Sequence, residues 1–189
     1  GGVINPGNVT IEAAPGVIAN IDAVLQGDPA GGNALRQGSN GITVAYSSAF
    51  RVVTLRNLVI RNFNNGILVA GIARVNIDNC RLENNIANNI SLIDNANVAI
   101  TNTQSVGAGL RIGPSVPTAP NPGYGLVLRN NARANVMNSS FTNNQGAGLV
   151  NLTNDATNLK LFKVGAFFNG TDIAGPFTVA PDPNYATTN

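Results

Sequence analysis

The chain has 189 residues, a formal net charge of +2, 11% charged residues and 43% hydrophobic ones. That length fits one domain at ~100–200 residues per domain, and the apolar share is enough to build a core, which excludes disorder. His 0 excludes a Ser–His–Asp triad, a histidine base and histidine metal ligands, and Cys 1 excludes an intramolecular disulfide and a cysteine cluster. The 11 Lys+Arg and 9 Asp+Glu form no run, so nucleic acid is not an expected partner. No apolar stretch reaches the ~18 residues of a membrane span. Gly1-Gly2 carries no signal-peptide pattern, so the chain is expected to begin at a processing site or an engineered boundary.

Taken in chain order, short alternating segments recur. Val9-Thr10-Ile11 opens the series, and a loop from about Asp22 to Asn40 follows. Then come Val53-Thr54-Leu55-Arg56-Asn57, Val75-Asn76-Ile77-Asp78-Asn79, Val98-Ala99-Ile100-Thr101-Asn102 and Ala134-Asn135-Val136-Met137-Asn138, with Leu159-Lys160-Leu161 last. Each of the four central segments reads apolar, x, apolar, x, Asn. A second strand follows each Asn directly, as in Leu58-Val59-Ile60 and Cys80-Arg81-Leu82. A third follows a polar turn, as in Gly66-Ile67-Leu68-Val69 and Gly125-Leu126-Val127-Leu128. The Asn-to-Asn steps are 22 (79−57), 23 (102−79) and 36 (138−102). From the head of each third strand to the next Asn the distance stays at 13 (79−66, 102−89, 138−125), so the long step hides a loop between Val106 and Tyr124.

Three strands per turn of chain, with no helical period between them, cannot form strand–helix–strand units. They can coil, each coil pairing in parallel with the next at ~4.8 Å. The predicted architecture is an all-β solenoid with three parallel sheets and about seven coils. The coils run over 8–173, and a C-terminal cap or strap spans 174–189. Predicted inward residues include Val53, Leu55, Leu58, Ile60, Ile67, Val69, Val75, Ile77, Cys80, Leu82, Ile90 and Leu92. Asn57, Asn79, Asn102 and Asn138 sit where one strand turns into the next without a spacer. That bend requires a left-handed residue, which Asn tolerates better than any residue but Gly. Ala13 and Lys163 replace Asn at the two outer positions.

The runs Val53–Asn62 and Gly66-Ile67-Leu68-Val69 resemble the repeat of right-handed parallel β-helix proteins, the pectate-lyase-like superfamily. The resemblance implies a working surface on the outer face of the third-strand sheet. There, lyase relatives hold Ca²⁺ with Asp beside an Arg or Lys base, and hydrolases use clustered Asp. In this chain the corresponding outward positions are Thr43, Leu68, Ser91, Val127 and Val150. None is acidic or basic, so no catalytic residue, metal ligand or cofactor is assigned, and the expected class leans away from an enzyme.

The expected function is a non-catalytic scaffold or adhesion module, extracellular or cell-surface, self-associating or weakly carbohydrate-binding. The alternative is a polysaccharide lyase-like enzyme or a fragment of one. Leu68, Val127 and Val150, read as an exposed apolar patch, are the candidate association surface. Asn64, Asn65, Asn88 and Asn89 are expected to floor a trough between the two loops, with Arg111 and Tyr124 beside it as candidate polysaccharide contacts. Register predicts ion pairs Arg56–Asp78 and Arg61–Glu83 between adjacent coils. Cys80 is expected to be a buried structural thiol.

Overall fold

The computed structural model describes residues 8–14, 17, 19–22, 40–46, 52–109 and 123–179. Three parallel sheets run along the solenoid, with strands numbered along the chain. The first holds β1 (Val9–Glu12), β4 (Val52–Arg56), β7 (Arg74–Asp78), β10 (Asn97–Thr101), β13 (Arg133–Met137), β16 (Leu159–Phe162) and β19 (Thr178–Val179). The second holds β2 (Ala19–Asp22), β5 (Leu58–Arg61), β8 (Arg81–Glu83), β11 (Gln104–Val106), β14 (Ser140–Thr142) and β17 (Gly165–Phe167). The third holds β3 (Asn40–Tyr46), β6 (Asn65–Gly71), β9 (Asn88–Leu92), β12 (Tyr124–Leu128), β15 (Ala147–Asn151) and β18 (Thr171–Ala174). Six three-stranded coils are complete, and β19 pairs with β16 to begin a seventh. Stacking thus reaches Val179, past the expected boundary at 173. A 3-10 turn at Ala156–Asn158 is the one helical element among the described residues.

The predicted register holds. Val53 lies against Val75 and Leu55 against Ile77, and Val98 and Ile100 continue the same columns. Like side chains stack on like at the strand spacing, so each coil covers the apolar face of the last. Leu55, Ile60, Ile67, Ile77, Leu82, Ile90, Leu92 and Ile100 are fully buried in one continuous core. Each contributes roughly 1.5–3 kcal/mol by leaving water. Where one coil is small its neighbour is large: Ser105 lies between Leu82 and Phe141 in register.

Left-handed residues occupy all three corners. At the first corner, between first and second strands, Asn57, Asn79, Asn102 and Asn138 have φ of 59, 49, 51 and 48 degrees. Lys163 takes the same conformation one coil on, at φ 51 degrees. The side-chain ladder is shorter than the conformational one. Asn79 Nδ2 donates to Asn57 Oδ1 at 2.8 Å, but Asn102 Nδ2 turns to Asp78 Oδ1 at 3.1 Å. The second corner has Asn62, Asn84, Asn143 and Phe168 at positive φ, and the third has Asp94, Asn130 and Asn154.

Candidate functional site

At the second corner, between second and third strands, asparagine is turned inward. Asn85 Oδ1 accepts from the Phe63 N–H at 3.0 Å, and its Nδ2 reaches the Ile60 carbonyl. Asn144 Oδ1 accepts from the Ala108 N–H at 3.0 Å, and Asn169 Oδ1 accepts from the Asn144 N–H at 3.0 Å. Each amide thus satisfies backbone groups of the coil before it, where water does not reach. Space for it comes from glycine one coil back. A Cβ on Gly66 would lie 2.8 Å from Asn85 Nδ2, and one on Gly125 would lie 2.9 Å from Asn144 Nδ2. One coil reverses the arrangement: Ala108 stands at the amide position, and Asn89 stands where the coils on either side have Gly66 and Gly125. Asn89 Nδ2 then supplies the missing donor, to Ser105 Oγ at 2.9 Å and the Val106 carbonyl at 3.2 Å.

This geometry corrects the expected trough floor. Asn88 and Asn89 are 2% and 0% exposed rather than open to a ligand. Asn88 Nδ2 donates to Asn65 Oδ1, and Asn65 Nδ2 to Asn40 Oδ1, both at 2.9 Å. These amides are used coil to coil. Asn64 is half-buried, and its carbonyl accepts the N–H groups of Ala87 and Asn88. Tyr124 follows Asn88 in register and is half-buried. Arg111 lies outside the described residues, as do 23–39 and 110–122 of the two loops.

The outer face of the third sheet also differs from expectation. Val127, Val150 and Ala147 form a small apolar cluster separate from the main core, with Tyr124 and Ala174 packed against it. Val127 and Val150 are 0% and 3% exposed, and Leu68 is half-buried. Their outward direction is as read from the register. Their exposure is not: Val127 and Val150 are buried, with Ala147, Tyr124 and Ala174 packed beside them. The apolar association patch expected at Leu68, Val127 and Val150 is therefore not an open one.

Charges follow the register. Arg56 Nε binds Asp78 Oδ2 at 3.0 Å, and its Nη1 lies 3.7 Å from Glu12. Arg61 bridges Asp22 at 2.8 Å and Glu83 at 3.5 Å, and Arg81 meets Glu83 at 2.6 Å. Burial alone would raise the Asp78 carboxyl. Hydrogen bonds from Thr101 and Asn102, with the Arg56 charge, outweigh that and hold it below the usual carboxylate value. Cys80 is buried, its Sγ pointing at the Leu55 and Asp78 carbonyls, and burial pushes its thiol pKa up. It has the environment of an inert structural thiol.

The third corner, between third and first strands, carries an open polar cleft of about 410 Å³ that sequence reasoning did not single out. Its walls repeat from coil to coil. Asn95, Asn131 and Asp155 each follow a corner residue, Asn97 and Arg133 head first strands, and Asn158 directly precedes another. Asp155 caps the 3-10 turn, its Oδ1 accepting from the Thr157 N–H and hydroxyl at 2.8 and 2.7 Å. Those bonds, with a smaller contribution from Arg133, lower its pKa. Arg133 Nε donates to Asn158 Oδ1 at 3.1 Å, which fixes the guanidinium against one wall. The available signal was an Asn or Asp directly after each third-corner left-handed residue.

Comparison with curated proteins and with solved structures returns no match. Comparison with protein families matches residues 7–162 to the one described as right handed beta helix region. With parallel strands stacked in three sheets over that span, the chain belongs to the right-handed β-helix family.

Proposed function

We propose that the chain is a non-catalytic scaffold or adhesion module that works outside the cell or at its surface. The observation that carries this is the fate of the acids among the described residues. Glu12, Asp22, Asp78 and Glu83 each face an arginine within 4 Å. Asp94 accepts from Asn130, Asp155 caps a turn and Asp172 accepts from Asn169. Glycoside cleavage by acid–base chemistry requires two carboxylates facing one bond, one of them kept protonated. Each of the four arginine-paired acids already has a cationic partner, and Asp78 is held below the usual carboxylate value. They lie on the first and second sheets, away from the third-sheet face.

The low charge, 11% of residues, and the repetitive wall of stacked parallel strands both suit a passive structural role. The test is incubation of the chain with polygalacturonate and other acidic polysaccharides, with and without Ca²⁺, read by ultraviolet absorbance of unsaturated ends and by reducing-sugar release. No product is expected. Calcium-dependent release of unsaturated product would overturn the assignment in favour of a lyase.

A further inference from the structure

We propose that the third-corner cleft is a binding site for a neutral, hydroxyl-rich glycan lying along the solenoid axis. The proposal deepens the module reading and rests on it for the absence of cleavage. Three observations carry it. First, the side-chain amides of Asn95, Asn97 and Asn131 line the cleft and are exposed, with no hydrogen-bond partner among the described residues. Three such amides converge on one cleft, each with a free donor and a free acceptor for a ligand.

Second, the cleft holds one cation and one anion that do not pair. Arg133 is anchored through Nε to Asn158, leaving its terminal nitrogens for another acceptor. Asp155 is fixed by Thr157. A guanidinium and a carboxylate lining the same cleft offer sugar hydroxyls a donor and an acceptor. One hydroxyl donates to Asp155 while its neighbour accepts from Arg133. An acidic sugar would gain from Arg133 but meet Asp155.

Third, equivalent positions recur at the coil spacing of about 4.8 Å, Asn97 lying against Arg133 in register. That repeat is close to the length of one pyranose residue, so a linear glycan can present one sugar per coil. The lining residues are not aromatic. Stacking is therefore missing, and affinity must come from hydrogen bonds spread over several sugars.

The test is affinity electrophoresis of the chain in native gels containing hydroxyethyl cellulose, galactomannan or dextran as neutral polymers, or polygalacturonate as the acidic one. Retardation by at least one neutral polymer is expected. It should weaken by about tenfold in Arg133→Gln and by up to about a hundredfold in Asn97→Ala with Asn131→Ala, one lost ligand hydrogen bond being worth up to about tenfold. The double alanine variant removes amides that no protein group uses, so its melting midpoint should match the parent. Arg81→Gln, on the second sheet, should be retarded like the parent. Three results would overturn the site: no retardation by any neutral polymer, retardation by polygalacturonate alone, or equal retardation of the double variant and the parent. None of these bears on cleavage, which product release reads separately.

Discussion

The second and third corners use the same residue for opposite purposes. At the second corner Asn85, Asn89 and Asn144 point into the wall and are at most 1% exposed. At the third, Asn95, Asn97 and Asn131 point away from it and are exposed. The difference lies in the neighbours. Gly66 and Gly125 open space beside Asn85 and Asn144, and the backbone there needs partners that water cannot provide. At the third corner the main chain makes coil-to-coil bonds of its own, as in Asn97 N–H to the Ala73 carbonyl at 2.9 Å, and Asn130 with Asp94 supplies a side-chain one. Asn95, Asn97 and Asn131 take no part in them through their side chains. An asparagine-rich sequence thus divides into amides that hold the fold and amides left exposed without a partner.

The sharpest way to break that division is to delete an inward amide. Asn144→Ala leaves the Ala108 N–H unpaired and removes the contacts to Asn89 and Asn169. It should cost about 2–4 kcal/mol, read as a drop in the urea midpoint. Next in size is the exchanged pair. Asn89→Gly should destabilise, because Ala108 has no amide to replace the lost one. Ala108→Asn should destabilise by crowding Asn89. The two together should recover about 1–2 kcal/mol of the summed loss in a double-mutant cycle.

A smaller effect belongs to pH. The Asp78 pKa is lower folded than unfolded, so its contribution is present above the unfolded value of about 3.9 and is lost as pH falls through the folded one. Acid titration of the melting temperature should therefore fall less steeply below about pH 4 in Asp78→Asn than in the parent. The smallest effect is at the open corner, where Asn131→Ala should change stability by less than about 0.5 kcal/mol.

The strands and the first corner were legible in the sequence for a local reason. Alternation at period 2 fixes which residues face inward, and an Asn with no spacer between two strands leaves only the left-handed conformation. The second corner was less legible because its left-handed residues vary in type, from Asn62 to Gly107 to Phe168. Whether Asn88 and Asn89 were open could not be read locally. Their burial depends on residues a coil away, Asn65 and Ser105 among them. The exposure of Val127 and Val150 also could not be read locally, since the cluster they belong to joins residues of different coils. A glycine heading one third strand with an inward Asn one coil later is the pairwise signal that would have separated the two kinds of amide. Gly66 with Asn85 and Gly125 with Asn144 carry it, both at a separation of 19 (85−66, 144−125).

The most direct measurement is side-chain amide hydrogen exchange, followed by NMR for every assigned Asn NH₂ group in one sample. Asn85, Asn89 and Asn144 should exchange far more slowly than Asn95, Asn97 and Asn131, which should match a free amide. Exchange of Asn89 as fast as that of Asn131 would contradict the division between structural and available amides on which the cleft and its ligand depend.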